Sequence, residues 1–94
     1  VWVRDIDEAL QFYTDKLGFQ VGTDVTLNDG YRWATVFHPD HPELHVNLQI
    51  PGPPMDPESA EFLNRSLDKG VMHAFGLATT DCRKTYEELR SKGV

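Results

Sequence analysis

The sequence predicts an α+β fold: one βαβββ module, followed by the first strand and helix of a second. Three observations carry this. A capped amphipathic helix is followed by three extended runs whose apolar residues alternate with polar ones. Asn28-Asp29-Gly30 stands between the first two of those runs as a hairpin turn. The opening pattern Val3-Arg4-Asp5 … Leu17-Gly18-Phe19 then returns as Thr79-Thr80-Asp81 … Lys92-Gly93-Val94, roughly 75 residues later and with one residue fewer between Asp and Gly.

Each element follows from its residues. Val1 to Val3 is β-branched and aromatic, and reads as the tail end of a strand whose start is expected to lie before it. Asp5, with Glu8 three residues on, caps a helix whose N-terminal N–H groups attract anions. Ile6, Ala9, Leu10, Tyr13 and Leu17 recur at helical spacing, and Gly18 stops the helix. Phe19 to Leu27 reads as a strand in which Val21, Val25 and Leu27 alternate with polar residues. Tyr31 to Phe37 is the returning strand, with Trp33, Thr35 and Phe37 on one face and Ala34 and Val36 on the other. After the turn His38-Pro39-Asp40-His41-Pro42, Glu43 to Ile50 alternates throughout. Leu44, Val46, Leu48 and Ile50 are expected inward, and Glu43, His45, Asn47 and Gln49 opposite.

Pro51-Gly52-Pro53-Pro54 ends the module. Met55 to Lys69 reads as a polar connector with one or two helical turns around Ala60 to Leu67. His73 to Thr79 is expected as a strand, and Asp81 as the cap of a helix carrying Tyr86 and Leu89 and ending at Gly93. The organisation is therefore residues 1–50, first module; 51–70, connector; and 71–94, partial second module. A start at Val1 inside an apolar run, and a stop just after Gly93, are expected of a piece of something longer.

Composition narrows the function. The 94 residues hold 39% hydrophobic side chains, enough for one modest core, and no apolar run long enough to span a membrane. Nine basic against fifteen acidic residues leave a net charge of -6, which disfavours nucleic acid and anionic lipid. No basic start precedes an apolar stretch, so no signal peptide is read. The single Cys82 excludes an intrachain disulfide and a multi-cysteine zinc site, and suggests a cytoplasmic setting.

The run Asp5-Ile6-Asp7-Glu8-Ala9-Leu10-Gln11-Phe12-Tyr13-Thr14-Asp15-Lys16-Leu17-Gly18-Phe19 resembles the first-helix signature of the vicinal oxygen chelate superfamily, which includes glyoxalase I, bleomycin-resistance proteins and extradiol dioxygenases. The repeat at Asp81 and Gly93 is similar to the start of that family's second module, so the chain resembles an incomplete glyoxalase-like fold. The resemblance implies paired modules whose sheets enclose a ligand cup, with helices outside. It would place His45, Asn47 and Gln49 in the cup, with Trp2, Trp33 and Thr35 sharing that face.

The resemblance also implies four metal-ligand positions in metal-dependent members. Carried over, the first falls before Val1, the second on Asn47, the third on Ala74 and the fourth beyond Val94. An amide is a poor substitute for a carboxylate. His73, beside Ala74, would reach the site only through a slip or bulge at Met72. No metal ligand is therefore assigned.

His38, Asp40, His41, Glu43 and His45 are types that bind zinc, iron or nickel, but two prolines break the run and it reads as a solvated turn. His45 is either a pocket hydrogen-bonding group or general base, or a plain polar residue on an open face. Trp2 and Trp33 are either core or aromatic walls for a planar ligand. Cys82 has no histidine near it in sequence and is not read as a nucleophile.

The leading expectation is a binder that holds a small organic molecule in the cup without a metal. The alternative is a metal-dependent lyase, isomerase or dioxygenase using iron, zinc, nickel or manganese, with ligands in segments outside these residues. A dimeric scaffold with a filled cup is the third reading. Unpaired sheet edges ask for a partner, and a homodimer is expected.

Overall fold

The computed structural model describes residues 1–94. Helix α1 (Ile6–Gln11) starts where expected, with the Asp5 side chain accepting from the Glu8 N–H at 2.9 Å. Its continuation, Phe12–Lys16, widens into a π-helix. Three strands follow, β1 (Gln20–Thr26), β2 (Arg32–Phe37) and β3 (Val46–Leu48), paired antiparallel in the order β1-β2-β3. The β1–β2 turn holds Gly30 at φ +87°, a conformation that only glycine adopts cheaply. Val1 to Val3 adds a parallel edge beside β3. Val3 N–H donates to the Gln49 carbonyl at 2.8 Å, and Gln49 N–H to the Val1 carbonyl at 2.9 Å.

Cross-strand register separates two faces. Ala34 opposes Leu48 and Val36 opposes Val46, and this side packs on α1. The core is Ile6, Tyr13, Phe19, Ala34, Val36 and Leu48, with Val1, Val3, Ala9, Leu10, Leu17 and Val46 around it. Arg32 ties the same side together, bonding Asp24 of β1 and Asp7 of α1 at 2.8 and 2.9 Å.

Four expectations are corrected. Leu44 and Ile50 do not pack inward; they are 65% and 50% exposed. The β2–β3 ladder spans only Val46 to Leu48, and Leu44 sits in a turn closed by its N–H on the His41 carbonyl. Val21 and Val25 do not share a face, because the register shifts between Val21 and Asp24. Val21 opposes Val36, whereas Val25 opposes Trp33.

The segment before Gly70 is also more ordered than a turn or two. Helix α2 runs Pro57–Asp68, with Asp56 capping the Ser59 N–H and Pro57 in the first turn. Finally, residues 71–79 form no strand. A strand exists through its neighbour's hydrogen bonds, and no segment of this chain pairs with that stretch. Phe75 instead stacks on Tyr13, with ring centres 6.0 Å apart. Helix α3 (Cys82–Ser91) follows, with Asp81 accepting from the Lys84 N–H at 3.0 Å.

Candidate functional site

The sheet face turned away from α1 carries the candidate site. Asn47 opposes Thr35 across β2 and β3, and Trp2 bridges Gln49. Parity on each strand then places Trp2, Trp33, Thr35, His45, Asn47 and Gln49 on one side, as the alternation predicted. Val25, opposite Trp33, joins them. Placement on a shared face is a matter of register; a binding role does not follow from it alone.

The centre of this face is more organised than alternation could show. Thr35 is 5% exposed. Its hydroxyl oxygen accepts from the Thr23 backbone N–H at 2.9 Å and lies 3.2 Å from His45 Nδ1. The His45 ring stacks on Phe37, centroids 5.0 Å apart and planes 20° from parallel. Its other neighbour is Gly22, where an added Cβ would lie 2.5 Å from Nδ1 and 2.6 Å from Cε1. The β1 irregularity thus does two things. It turns the Thr23 N–H from the ladder toward a side chain, and it brings bare backbone at Gly22 under an imidazole.

Gly22, Thr23 and Phe37 were not among the expected site residues. The available signal was a glycine inside an alternating strand, which marks a bulge or a close approach.

The metal positions do not fit the family's ligand set. Asn47 Oδ1 is buried and has no hydrogen-bond partner. Such an orphan acceptor costs on the order of 1–3 kcal/mol and awaits a donor, not a cation that prefers carboxylate. Ala74 offers no ligand atom. His73 is exposed in the unpaired stretch, so neither a regular strand nor a bulge at Met72 governs where it points.

His38 and His41 each lie beside a local carboxylate, Asp40 at 3.7 Å and Glu43 at 3.5 Å, in an exposed turn. No three His, Cys, Asp or Glu side chains converge as a metal site in this chain. Cys82 is exposed. A hollow of about 550 Å³ lies on the helical side, against Phe12, Lys16 and Lys92, but only one of its six lining residues is apolar. It is a charged crevice without the apolar walls of an organic ligand site.

The Arg32 hydrogen bond holds the Asp24 carboxyl below its ordinary range, and its two carboxylate partners push the Arg32 guanidinium up. Burial pushes the Tyr13 phenol up. No helix is long and apolar enough to cross a membrane.

Comparison with known proteins agrees with the geometry. The Glyoxalase/Bleomycin resistance protein/Dioxygenase superfamily matches residues 1–94. The chain is 36% identical over 95 residues to "Uncharacterized protein YurT" of Bacillus subtilis (strain 168), covering 100% of this chain and 71% of that protein. It is also similar to the solved structure "Crystal structure of UcmS2". There the TM-score is 0.89 at 39% identity, over 99% of this chain and 70% of that one.

Proposed function

The chain belongs to the glyoxalase/bleomycin resistance protein/dioxygenase superfamily, and from that premise we propose that it binds a small, planar organic molecule on the open sheet face without using a metal. Members of this superfamily generally bind small molecules. The observation that carries the reading is one face holding both aromatic walls and polar groups. Trp2 and Trp33 stand in one row on either side of Gln49, and the rows beyond carry Thr35 with Asn47 and then His45 beside Phe37. A flat apolar body between indoles, oriented by a few polar contacts, is how organic ligand sites are built.

Apolar side chains of this face are exposed, in a chain whose whole surface is large for its mass. The chain exposes 7002 Å², against roughly 5,500 Å² for a compact monomer of this mass. Trp33, Val25 and Leu27 are each more than 40% exposed. The proposal closes this face with a second copy of the chain, so that the ligand lies between two sheets. A standard interface covers roughly 800 Å² of each partner, about half of this chain's excess. A cytoplasmic site of action belongs to the proposal too, since the exposed thiol of Cys82 stays reduced there.

The test is a thermal-shift screen of planar aromatic compounds, with sedimentation to read the oligomeric state. A ligand at a hundred times its Kd adds about 2.7 kcal/mol of stability. Trp33→Ala and His45→Ala are each expected to weaken the response at least several-fold. If both variants respond as the parent does, the ligand is elsewhere.

A further inference from the structure

We propose that His45 acts in this site as a fixed hydrogen-bond donor through Nε2–H, and so selects ligands that present a neutral carbonyl oxygen. The inference rests on the reading of the open face as a binding surface, and deepens it by naming the ligand chemistry.

The argument is a count of protons. Thr35 Oγ1 already accepts the Thr23 N–H at 2.9 Å, so a strong backbone donor occupies one of its lone pairs. Its own hydrogen needs an acceptor. Thr35 is 5% exposed, so water is not at hand, and no carbonyl or carboxylate lies within hydrogen-bond distance. The acceptor in reach is His45 Nδ1, at 3.2 Å. When the Thr35 hydroxyl donates to Nδ1, that nitrogen must carry its lone pair, and the neutral imidazole keeps its proton on Nε2.

The ring is also held in orientation. Phe37 covers one side of it, and the Gly22 backbone lies against the Nδ1–Cε1 edge so closely that a methyl group would not fit. That leaves Nε2, which no protein group engages. A donor whose direction is set before the ligand arrives loses little entropy on binding.

The complementary ligand group is an acceptor. A carboxylate or phenolate would qualify by hydrogen bonding alone, but the chain carries a net charge of -6 and disfavours anions. A neutral carbonyl on a flat apolar body satisfies both conditions: ketone, aldehyde, quinone or amide. A neutral His45 in this tautomer has no lone pair at Nε2, so it positions the ligand and does not take a proton from it.

The test uses the full chain and has two parts. Nitrogen–proton NMR of the His45 ring in its neutral form reads the tautomer without any ligand. Nε2 is expected to carry the proton in the parent and in Thr35→Ser, which keeps the hydroxyl. In Thr35→Val the proton should distribute over both nitrogens. A proton on Nδ1 in the parent overturns the assignment.

The second part compares acetophenone with α-methylstyrene, which replaces C=O by C=CH₂ at nearly the same shape. The parent should prefer acetophenone several-fold, up to about tenfold, and Thr35→Val should lose that preference. Equal affinities in the parent, or a preference that survives in Thr35→Val, overturn the selection. If neither probe binds this face, the pocket reading fails and takes the selection with it. The ring measurement distinguishes that failure from a wrong tautomer.

Discussion

Gly22→Ala is expected to spring the His45 ring from its seat and to destabilise the protein by about 1–2 kcal/mol. The new Cβ would lie 2.5 Å from His45 Nδ1 and 2.6 Å from both Cε1 and Thr35 Oγ1. Ordinary carbon contacts sit at about 3.5–4.0 Å, so something must move by about 1 Å. Thr35 is on the central strand and 5% exposed, so its contact is relieved by β1 giving way at the irregularity between Val21 and Asp24, which also loosens the Thr23 N–H bond. His45 lies outside β3 and is exposed, so its ring swings out.

The swing breaks the Thr35 contact, about 0.5–1.5 kcal/mol, and the stack on Phe37, about another 0.5–1.5. The backbone at residue 22 is not left-handed, and there replacing glycine restricts the unfolded chain and returns about 0.4–1 kcal/mol. The assay is urea unfolding, where a loss of this size moves the midpoint by roughly 0.5–1 M. Gly76→Ala is the control, since its added Cβ meets nothing within 4 Å and its backbone is also not left-handed. An unchanged midpoint for Gly22→Ala, with unmoved His45 ring resonances, would refute the close approach and the tautomer argument built on it.

Leu48→Ala removes the largest fully buried side chain of β3. It should cost about 2–5 kcal/mol, seen as a lost or strongly lowered cooperative melt by circular dichroism; a melt within a few degrees of the parent contradicts the assigned core. Acid should weaken the β1–β2–α1 junction. The Asp24 carboxyl is held low mainly by its hydrogen bond from Arg32. Its stabilisation is therefore present above the ordinary carboxylate pKa and lost as pH falls through the lower folded value. The pair is about a third exposed, so the effect is modest. Arg32→Ala should flatten the urea midpoint against pH below about pH 4, and parallel curves for the two proteins would remove the pair from the account. Metal analysis of protein purified without chelator should find no stoichiometric iron, zinc, nickel or manganese; any of them at one per chain reverses the metal-independent reading.

Local rules reached most of the first module. Asp5 and Glu8 marked the start of α1, Gly18 its end, and Asn28-Asp29-Gly30 the β1–β2 turn, because each depends on a few neighbouring residues. Parity then sorted Trp33, Thr35, Asn47 and Gln49 from Ala34, Val36 and Leu48 without reference to any partner. What failed depended on something outside the local window. Leu44 and Ile50 alternate correctly but have no ladder beside them. Residues 71–79 have strand composition, yet composition cannot supply a neighbour. Helix α2 exceeds the one or two turns expected of a polar connector, because Asp56-Pro57 is a capped start.

The candidate site divides along the same line, and the division explains where chemistry can arise in this fold. A perfectly alternating sheet face offers a flat array of side chains, each oriented only by its own rotamer. Trp2, Trp33 and Gln49 are of that kind, and alternation was enough to find them. His45 differs because a break in regularity surrounds it. The register shift at Gly22 and Thr23 removes a side chain where the ring must lie, and diverts a backbone N–H onto Thr35. That diverted bond commits the Thr35 proton, and the proton commits the imidazole. The most specific group on the face is thus specified three steps away, by a glycine that alternation treats as a gap. Selectivity in this site follows from that defect in the strand.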